Sequence, residues 1–531
     1  MLEWKNQTKQ FWQDKLVLLV RCYWFNCDDI TLKDLLLNCD GFSEKHLEGI
    51  YEFILLNPER VILIFDGLDE LSFDTKCLRT DGSVIANAKM PAFTILSMLV
   101  KGKLLPDATV LITSRPRAKC AFKLLGFDRT VEILGFFEDQ VKEYVIKFSR
   151  DDKSIAELIL NCINSSPELR RLCYIPINTY IFCRTMKESF INNDYIEDPP
   201  KNATELYKKA VKILLWKHHE GYENVSKPNR DNLVKDLLLK LENDMQKMKS
   251  LAKKGLEEGN LFFDESHLAE FPNLYNCGVF SQIPDEECEL FCFLHSTIQE
   301  FLAASCIVDD WQNIGDFLDD KVTDSKWHLV IKFIAGIVGD MKKKKKVKDI
   351  NSVRKRFEKW ISHLYSNEED STLGFLGIQC LYELQDKDET RAACTISTNF
   401  SDEMFIVSIF FTPIELYALI DLLSELRQTT KLTFKSCIFL DRDSCTSLKS
   451  FLFNLEECNI FCLKFHSCTF DNHFCKCLNV ALKRTSCKIT YIDISHSQLT
   501  HQCEEYLTEA FQSHTCNLTN LVINDNEQSK H

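Results

Sequence analysis

Four short apolar runs lie in the first 136 residues, at 15–22, 60–71, 109–116 and 130–136. Each is almost continuously hydrophobic, which is typical of strands buried on both faces of a parallel sheet. Windows with helical periodicity separate these runs, at 31–37, 45–56 and 90–101. The alternation of strands and helices predicts an α/β domain built on a parallel sheet.

Helical periodicity takes over from about residue 137 to residue 425. Two windows place their apolar residues on one helical face: Leu206, Ala210, Ile213 and Leu214 in the first, and Ile298, Phe301, Leu302 and Cys306 in the second. The pair Pro199-Pro200 predicts a boundary, because proline and the residue before it both resist helix. The middle of the chain is therefore predicted to be mostly helical.

The longest apolar stretch, residues 404–423, approaches the length of a membrane span. It is interrupted by Thr412, Pro413 and Glu415, which have the pattern of an N-cap, a proline at the first helical position and a capping-box glutamate. The stretch is predicted to divide into a buried segment and a separate helix, so no transmembrane segment is expected.

The C-terminal tail contains a recurring unit. Four segments begin with the same apolar-x-apolar pattern, 31, 29 and 29 residues apart, at Leu432, Leu463, Ile492 and Leu521. A short polar or thiol residue follows each at the same offset, namely Cys437, Cys468, Ser497 and Asn526. Helical segments follow, such as 444–455 and 503–511. The pattern is typical of leucine-rich repeats and predicts a short α/β solenoid, which either contacts a protein or ligand or shields the rest of the chain.

The composition favours a helix-rich fold, and the net charge argues against nucleic-acid binding. Glycine (16) and proline (12) are scarce among 531 residues, which favours helix over turn-rich β architectures. The formal net charge of −14 argues against a nucleic-acid partner. One local exception is the lysine run at 342–346 with Lys348, which is either a nuclear-import or anionic-lipid patch or a solvated loop between helices.

The 24 cysteines do not predict a disulfide framework. No secretory segment is recognised at the start, so a reducing, cytoplasmic compartment is expected. Most cysteines lie in apolar runs, where a thiol behaves as a small hydrophobic group. Cys475 and Cys477 lie near His473 but lack a second pair at zinc spacing, so a metal site is not expected there.

Charged side chains follow two of the predicted strands. Asp66, Asp69 and Glu70 come after the second strand, and Arg115 comes after the third. Ligands of parallel sheets bind beyond the carboxyl ends of the strands. Acids there suit a Walker B element, in which one carboxylate holds Mg²⁺ and a second orients a water, and an arginine suits a phosphate sensor. The alternative is a solvated acidic turn.

Five sequence blocks, in this order and ahead of the repeats, resemble the NACHT module of NOD-like receptors. They are ILIFDGLDEL, VLITSRPRA, VEILGFFEDQVKEYVIKF, LRRLCYIPINTYIFC and FLHSTIQEFLAA. LGFLGIQCLYELQD and TPIELYALIDLL resemble segments that precede the repeats in this family. The resemblance implies a partial NACHT α/β domain over 1–136, a helical domain over 137–200, a winged-helix domain over 201–310, a second helical domain over 311–425 and repeats over 426–531.

The resemblance also implies roles for single residues. Asp66 is expected to be the Walker B aspartate that holds Mg²⁺ through water, with Asp69 and Glu70 as the additional, catalytic acids. Arg115 is expected to sense the γ-phosphate of ATP. Pro176 is expected to line the adenine side of the nucleotide.

His295 is expected to touch the β-phosphate of ADP and to lock a closed state. The residues themselves support this role in part, because 296–299 has the pattern of a capping box and places His295 at a helix N-terminus, which suits anions. A packed structural histidine is the alternative.

One element of the family pattern is missing from the sequence. The phosphate-binding loop G-x-x-x-x-G-K-[ST] does not occur, and the pair Gly102-Lys103 is followed by leucine. Residues 1–22 resemble the segment just downstream of that loop, so the chain is expected to start inside the NACHT domain without one central strand.

The expected function is that of a cytosolic innate immune sensor of the NOD-like type. In this family ADP holds a closed state, and ligand sensing with ATP exchange opens the molecule, which then forms homo-oligomers. The ligand at the repeats is expected to be a protein or a microbial or danger ligand. Impaired nucleotide binding is expected here, and the alternative function is a nucleotide-independent interaction module.

Overall fold

A computed structural model describes residues 14–25, 29–37, 47–68, 71, 88–114, 125–131, 133–150, 152–191, 199–218, 230–264, 279–283, 290–347, 349–366, 371–396, 401–439, 447–497 and 499–523. The chain divides into two compact units, residues 1–133 and 134–531. Each unit has its own hydrophobic core.

The first unit is an α/β layer structure. Its elements are β1 Leu16–Arg21, β2 Asp29–Ile30, α1 Leu32–Leu37, α2 Leu47–Leu56, β3 Val61–Asp66, β4 Met90–Pro91, α3 Ala92–Val100 and β5 Thr109–Ile112. The three longer strands form a parallel sheet in the order β1-β3-β5, and β2 pairs with β4 in an antiparallel ribbon. Val61, Leu63 and Phe65 are buried, which confirms the prediction of a parallel sheet from continuous apolar runs.

The fourth predicted strand, at 130–136, is not formed. Its described residues lie outside any strand, and Val131 and Ile133 are 85% and 94% exposed. Within the described part of the first unit, β5 pairs with β3 on one side only. A strand is stabilised by pairing with a neighbouring strand. An apolar run is therefore not sufficient by itself to form a strand at 130–136.

The second unit begins with helices and a small sheet. The elements are α4 Glu138–Ser149, α5 Lys153–Ser165, α6 Pro167–Leu172, α7 Pro176–Ile191, α8 Ala203–His218, α9 Arg230–Glu258, β6 Phe262–Asp264, β7 Phe280–Ile283 and β8 Leu290–Phe293. The strands form an antiparallel sheet in the order β6-β8-β7. Each is only three or four residues long, so the helical periodicity of this region gave no sign of them.

Six further helices complete the middle of the second unit. They are α10 Ser296–Asp309, α11 Ile314–Lys321, α12 His328–Lys343, α13 Asn351–Ser362, α14 Thr372–Leu384 and α15 Lys387–Ile396. The helices predicted at 203–216 and 296–306 are confirmed as α8 and α10. The core runs without a break from α4 to the last repeats, because each amphipathic helix buries its apolar face against the next.

The C-terminal part is a parallel sheet with a helix after most strands. Its elements are β9 Glu403–Val407, α16 Pro413–Glu425, β10 Lys431–Lys435, β11 Ile438–Phe439, α17 Ser447–Asn454, β12 Cys462–His466, β13 Thr469–Phe470, α18 Asn472–Leu482, β14 Tyr491–Ser495, α19 His501–Phe511 and β15 Asn520–Val522. The order of the five main strands is β15-β14-β12-β10-β9.

The sheet register matches the repeating unit of the sequence. The four predicted repeat origins face one another across the sheet, in the pairs Leu432 with Leu463, Leu463 with Ile492 and Ile492 with Leu521. The sheet also contains β9, where Met404 faces Leu432. The repeating sheet therefore starts at residue 403, ahead of the predicted boundary at 426.

A left-handed turn and a hydrogen bond explain the recurring Cys or Ser. Strands β9, β10, β12 and β14 are each followed directly by a residue with φ between 51° and 60°, namely Ser408, Ser436, Ser467 and His496. After the last three of these turns, the next side chain donates to a carbonyl of the preceding strand: Cys437 Sγ to Ile406 O (3.3 Å), Cys468 Sγ to Phe434 O (3.5 Å) and Ser497 Oγ to Phe465 O (3.3 Å). Asn526 lies outside the described residues.

Aromatic rings fill the interior between strands and helices of the repeats. Phe439 stacks between Phe411 (4.7 Å between centroids) and Phe470 (5.8 Å), and Phe434 stacks on Phe465 (5.1 Å). Each ring thus buries its faces against the repeats on either side, so the repeats stabilise one another through their neighbours.

The structure also shows the fate of the long apolar stretch at 404–423 and of the lysine run at 342–346. Residues 404–423 divide into β9 and α16, and Thr412 and Glu415 form the predicted capping box. Of the helices that the structure describes, none has the length and apolarity needed to cross a membrane. Lys342 pairs with Asp386 (2.8 Å) and Glu389 (2.6 Å), so part of the lysine run is neutralised within the molecule, while Lys348 lies outside the described residues.

Candidate functional site

Asp66 lies where two strands of the first unit end side by side. It is the last residue of β3, and Thr113 directly follows β5. Thr113 N donates to Phe65 O (2.8 Å), which extends the sheet pairing by one residue and brings the two ends together. The Thr113 hydroxyl then donates to Asp66 Oδ1 (2.6 Å) and accepts from the Gly67 N–H (3.1 Å). The predicted convergence of the two strand ends is thus observed.

One acidic and one basic residue lie side by side at this edge of the sheet. Asp66 is exposed at the carboxyl end of the sheet, and Arg21 stands opposite it in the register of β1 and β3. A solvated carboxylate is the kind of ligand that Mg²⁺ uses when it keeps several waters. The other predicted acids, Asp69 and Glu70, and the predicted sensor Arg115 lie outside the described residues.

The pair Gly102-Lys103 ends a helix and does not form a phosphate loop. Gly102 has φ of 65°, Gly102 N donates to Leu99 O (3.1 Å), and Lys103 N donates to Met98 O (2.9 Å). This is a helix C-terminal cap with glycine in the left-handed conformation. A phosphate loop leads from a strand into a helix, whereas this turn leads from α3 toward β5.

His295 is the N-cap of α10 in the second unit. Its Nδ1 accepts from the Thr297 N–H (3.2 Å) and lies 2.9 Å from Thr297 Oγ1. The capping box predicted at 296–299 is wrong, because the ring of His295 takes the cap position itself and Gln299 Nε2 donates to Asn260 O (3.1 Å). His295 nevertheless lies at a helix N-terminus, as the sequence predicted.

A chain of hydrogen bonds joins the helix of Pro176 to His295. Pro176 is the first residue of α7, and Asn178 lies two residues further along. The Tyr207 hydroxyl, on α8, donates to Asn178 Oδ1 (3.1 Å) and lies 2.7 Å from Thr297 Oγ1. Thr297 in turn contacts His295. Within the second unit, the structure therefore links His295 to the helix that begins at Pro176.

Comparisons with known proteins agree with this organisation. A family model described as "NACHT domain" matches residues 1–152, a range that contains the first sheet and Asp66. The human protein named "NACHT, LRR and PYD domains-containing protein 3" is 26% identical over 583 residues, which covers 98% of this chain and 52% of that protein. Residues 1–152 thus match the NACHT domain family, and the chain is similar over almost its whole length to a protein that contains this domain.

Two further proteins are similar over most of the chain. "Protein NLRC5" of Ictalurus punctatus is 24% identical over 574 residues, covering 94% of this chain and 32% of its own length. "NACHT, LRR and PYD domains-containing protein 12" of Mus musculus is 24% identical over 419 residues, covering 74% and 37%. The chain thus spans between 32% and 52% of the length of these three relatives.

The linking residues Asn178, Tyr207 and Thr297 were not predicted as site residues from the sequence. Asn178 and Thr297 lie inside sequence blocks that resemble the family. Nothing in either block indicates that Tyr207 connects these two residues. Tyr207 adjoins Leu206 on the buried side of α8 and is 2% exposed. A tyrosine beside an apolar helical face was the one available signal, since a buried hydroxyl needs a partner.

A cleft of about 780 Å³ lies in the second unit between α4, α5, α6 and α16. Its basic lining residues are Lys142, Arg170 and Arg171. The Arg171 side chain is 8% exposed, its guanidinium lies 3.3 Å from the ring centroid of Tyr417, and it pairs with Glu168 (3.3 Å). This arginine ties α6 to α16, and sequence reasoning did not single it out.

Metal-binding clusters are not found in the described ranges of the chain, where no group of three or more His, Cys, Asp or Glu residues is arranged to hold an ion. His473 Nε2 lies 3.4 Å from Cys477 Sγ, which is one contact between neighbouring turns of α18. The described cysteines form no disulfide.

Proposed function

We propose that this chain is a cytosolic innate immune sensor of the NOD-like type whose closed state is stabilised by adenine nucleotide. In this proposal ligand sensing opens the molecule, which then forms homo-oligomers. The match of residues 1–152 to the NACHT domain model and the similarity to a NACHT- and LRR-containing protein support this class of protein. The sequence lacks a G-x-x-x-x-G-K-[ST] motif, so we also propose that residues 1–531 bind nucleotide weakly.

The domain assignment within this proposal follows the boundaries predicted from sequence. We assign residues 1–136 to a partial NACHT domain, 137–200 and 311–425 to helical domains, 201–310 to a winged-helix domain and 426–531 to leucine-rich repeats. Strand β9, near the end of the second helical domain, extends the sheet of the repeats. The sheet β6-β8-β7 followed by α10 supports the winged-helix assignment. The parallel strands at a regular spacing support the repeat assignment.

The observation that carries the proposal is the hydrogen-bonded link from α7 to His295. An imidazole at the N-terminus of a 14-residue helix lies where backbone N–H groups and the helix dipole favour an anion. Pro176 lies at the start of the helix to which this histidine is linked. In the proposal, His295 donates to a phosphate oxygen and Pro176 packs against the base.

Asp66 has the corresponding role in the first unit. Its carboxylate is oriented by the Thr113 hydroxyl and remains exposed at the sheet edge. We propose that it orients a water of hydrated Mg²⁺, with Asp69, Glu70 and Arg115 completing the catalytic and sensor groups. The bound ion would neutralise phosphate charge.

The strand side of the repeats is the proposed contact surface for a protein or a microbial or danger ligand. Glu403 on β9 accepts from the Thr433 hydroxyl (2.7 Å) and pairs with Lys464 (2.9 Å), so polar groups are held in fixed positions across three strands. Ordered polar groups on a broad surface favour binding, because little side-chain entropy is lost on contact.

Nucleotide binding by the purified full chain tests the proposal. We expect ADP titrated calorimetrically into wild-type protein to bind, and the binding to be lost in His295→Ala. The matched control is His501→Ala, since His501 lies on α19 with a side chain that is 86% exposed. Loss of binding in both variants would contradict a specific role for His295.

The second candidate is a nucleotide-independent interaction module. It is favoured by the Gly102-Lys103 turn, which caps a helix and so leaves the NACHT unit without a phosphate loop in its described part. Well-folded wild-type protein that shows no heat of ADP binding up to millimolar ligand would decide for this candidate.

A further inference from the structure

The hydrogen bonds around His295 determine which ring nitrogen carries the proton. The Thr297 backbone N–H donates to His295 Nδ1 (3.2 Å). A backbone N–H can only donate, so Nδ1 must present a lone pair. The neutral ring therefore carries its proton on Nε2, and any oxyanion that this ring binds is contacted by the Nε2–H.

The hydroxyl groups behind the ring are also constrained. Asn178 Nδ2 donates to Leu172 O (3.1 Å), which turns Asn178 Oδ1 toward Tyr207. The single proton of the Tyr207 hydroxyl is donated to that oxygen. The Tyr207 oxygen then accepts from the Thr297 hydroxyl at 2.7 Å, or the Thr297 hydroxyl donates to His295 Nδ1 at 2.9 Å. The second arrangement itself requires an unprotonated Nδ1, and in the first arrangement the Thr297 backbone N–H keeps Nδ1 unprotonated.

Burial makes this arrangement rigid. Asn178 is 3% exposed and Tyr207 is 2% exposed. The Tyr207 ring packs against Phe333 (5.2 Å between centroids) and Phe301 (6.1 Å). Losing a partner here leaves a buried polar group without its bond, and that cost opposes rearrangement.

We propose that Tyr207 is a positioning residue, which holds Thr297 so that His295 stays in the Nε2–H tautomer and meets a nucleoside diphosphate with a neutral N–H donor. This inference rests on the proposed function for its ligand, but not for the tautomer. Tyr207 also fixes α10 relative to α7, so the contact with a phosphate oxygen is transmitted to the helix that begins at Pro176.

Nitrogen NMR of the full chain labelled with ¹⁵N-histidine tests the tautomer without any nucleotide. Thirteen histidines contribute signals, and the pair from His295 is assigned as the one lost in His295→Gln. We expect separate signals for an unprotonated Nδ1 and a protonated Nε2 in wild type near pH 7.5. In Tyr207→Phe the two shifts should move toward each other, because Thr297 is no longer held and both tautomers become populated.

Two further variants keep the test decisive. Thr297→Val retains the backbone N–H and the shape but removes the hydroxyl, so it should give a partial shift of the same kind even if Tyr207→Phe fails to fold. Tyr506→Phe is the matched control, because the Tyr506 hydroxyl accepts from Gln502 at an exposed site on α19. Signals of His295 that are already averaged in wild type, or unchanged in both Tyr207→Phe and Thr297→Val, would overturn the inference.

An ADP titration separates this inference from the proposed function. If both hold, Tyr207→Phe should weaken ADP binding about 2- to 10-fold, the size of one net hydrogen bond. Wild-type protein with a fixed Nε2–H tautomer, released in Tyr207→Phe, but with no ADP binding would support the positioning role and reject the nucleotide function. Normal ADP affinity in Tyr207→Phe with unchanged histidine signals would reject the positioning role alone.

Discussion

Replacing Glu383 by alanine should destabilise the second unit markedly. Glu383 lies near the end of α14 and is buried, and its carboxylate accepts from groups at the start of α8, which is 180 residues away along the chain. Ala203 N donates at 3.3 Å, Thr204 N at 3.4 Å and the Thr204 hydroxyl at 2.9 Å. A single side chain therefore satisfies three donors at a helix N-terminus.

The magnitude follows from these three contacts. Losing an N-cap side chain costs about 0.5–2 kcal/mol. A buried donor left without a partner costs about 1–3 kcal/mol. The two N–H contacts are long, and removing a buried carboxyl recovers part of its desolvation cost, so we expect about 2–3 kcal/mol in total.

Urea unfolding of the full chain followed by tryptophan fluorescence measures this loss. The matched control is Glu157→Ala, since Glu157 is exposed on α5 and makes no ion pair in the described part of the chain. We expect the control to change the free energy of unfolding by less than about 0.5 kcal/mol. Equal unfolding midpoints for Glu383→Ala and Glu157→Ala would refute the reasoning.

The pH dependence gives the same prediction a second readout. Burial raises the pKa of Glu383 above its ordinary value, and the hydrogen bonds from Thr204 only partly oppose this. A carboxyl whose pKa is higher in the folded state contributes stability below its unfolded pKa of about 4.3 and loses it as pH rises through the folded pKa. Relative to Glu383→Gln, which cannot ionise, wild type should therefore lose stability as pH rises from 4 to 8.

Three further changes test packing with the same unfolding assay. Gly336→Ala places a Cβ 2.1 Å from Thr204 Oγ1, so it should force α12 from α8 and cost about 1–3 kcal/mol; a neutral result would contradict this packing. Phe439→Ala should cost about 3–5 kcal/mol by opening the aromatic stack, whereas Phe511→Ala, at a ring that is 44% exposed, should cost far less. Ser467→Gly should be neutral or stabilising by up to about 1 kcal/mol, because φ of 53° is unfavourable for serine, and clear destabilisation would show that the hydroxyl matters more than the turn.

The parts of the fold that were predictable are those fixed by local pattern. β1, β3 and β5 were predicted because strands buried on both faces are continuously apolar, and the register of Leu432, Leu463 and Ile492 followed from equal spacing. Strand β9 was missed for a local reason. Ile409 stands where Cys437 stands in the next repeat, so the thiol that marked the pattern is absent although the left-handed turn at Ser408 is present.

The sequence predicted single residues of the site, but not the hydrogen bonds that connect them. His295 was proposed from the family resemblance, supported in part by its place before a helix, and Asp66 was singled out because it ends a strand. The bond between Tyr207 and Thr297 joins residues 90 positions apart, and no spacing rule connects them. Tertiary packing decides which polar residue on an apolar helical face is hydrogen-bonded, and to which partner. Helical periodicity in the sequence does not identify that partner.

The two networks on α8 are close enough to act on each other. Asn202 Nδ2 donates to Glu383 O (2.7 Å), and the carboxylate of Glu383 accepts from the next two residues. Tyr207 follows four residues after Ala203, a distance of about 6 Å along a helix. One rigid helical turn thus joins α14, which precedes the repeats in the chain, to the hydroxyl that positions His295.

Measurements of stability do not test whether α8 couples Glu383 to His295. If α8 transmits position as a rigid turn, Glu383→Ala should also move the His295 nitrogen signals, although Glu383 does not contact the ring. Phe439→Ala destabilises the same unit more strongly but lies away from this turn, so it should leave those signals unchanged in folded protein. Coupling is demonstrated only when a change at one site biases the other, so similar signals in both variants would mean that α8 is a scaffold and not a link.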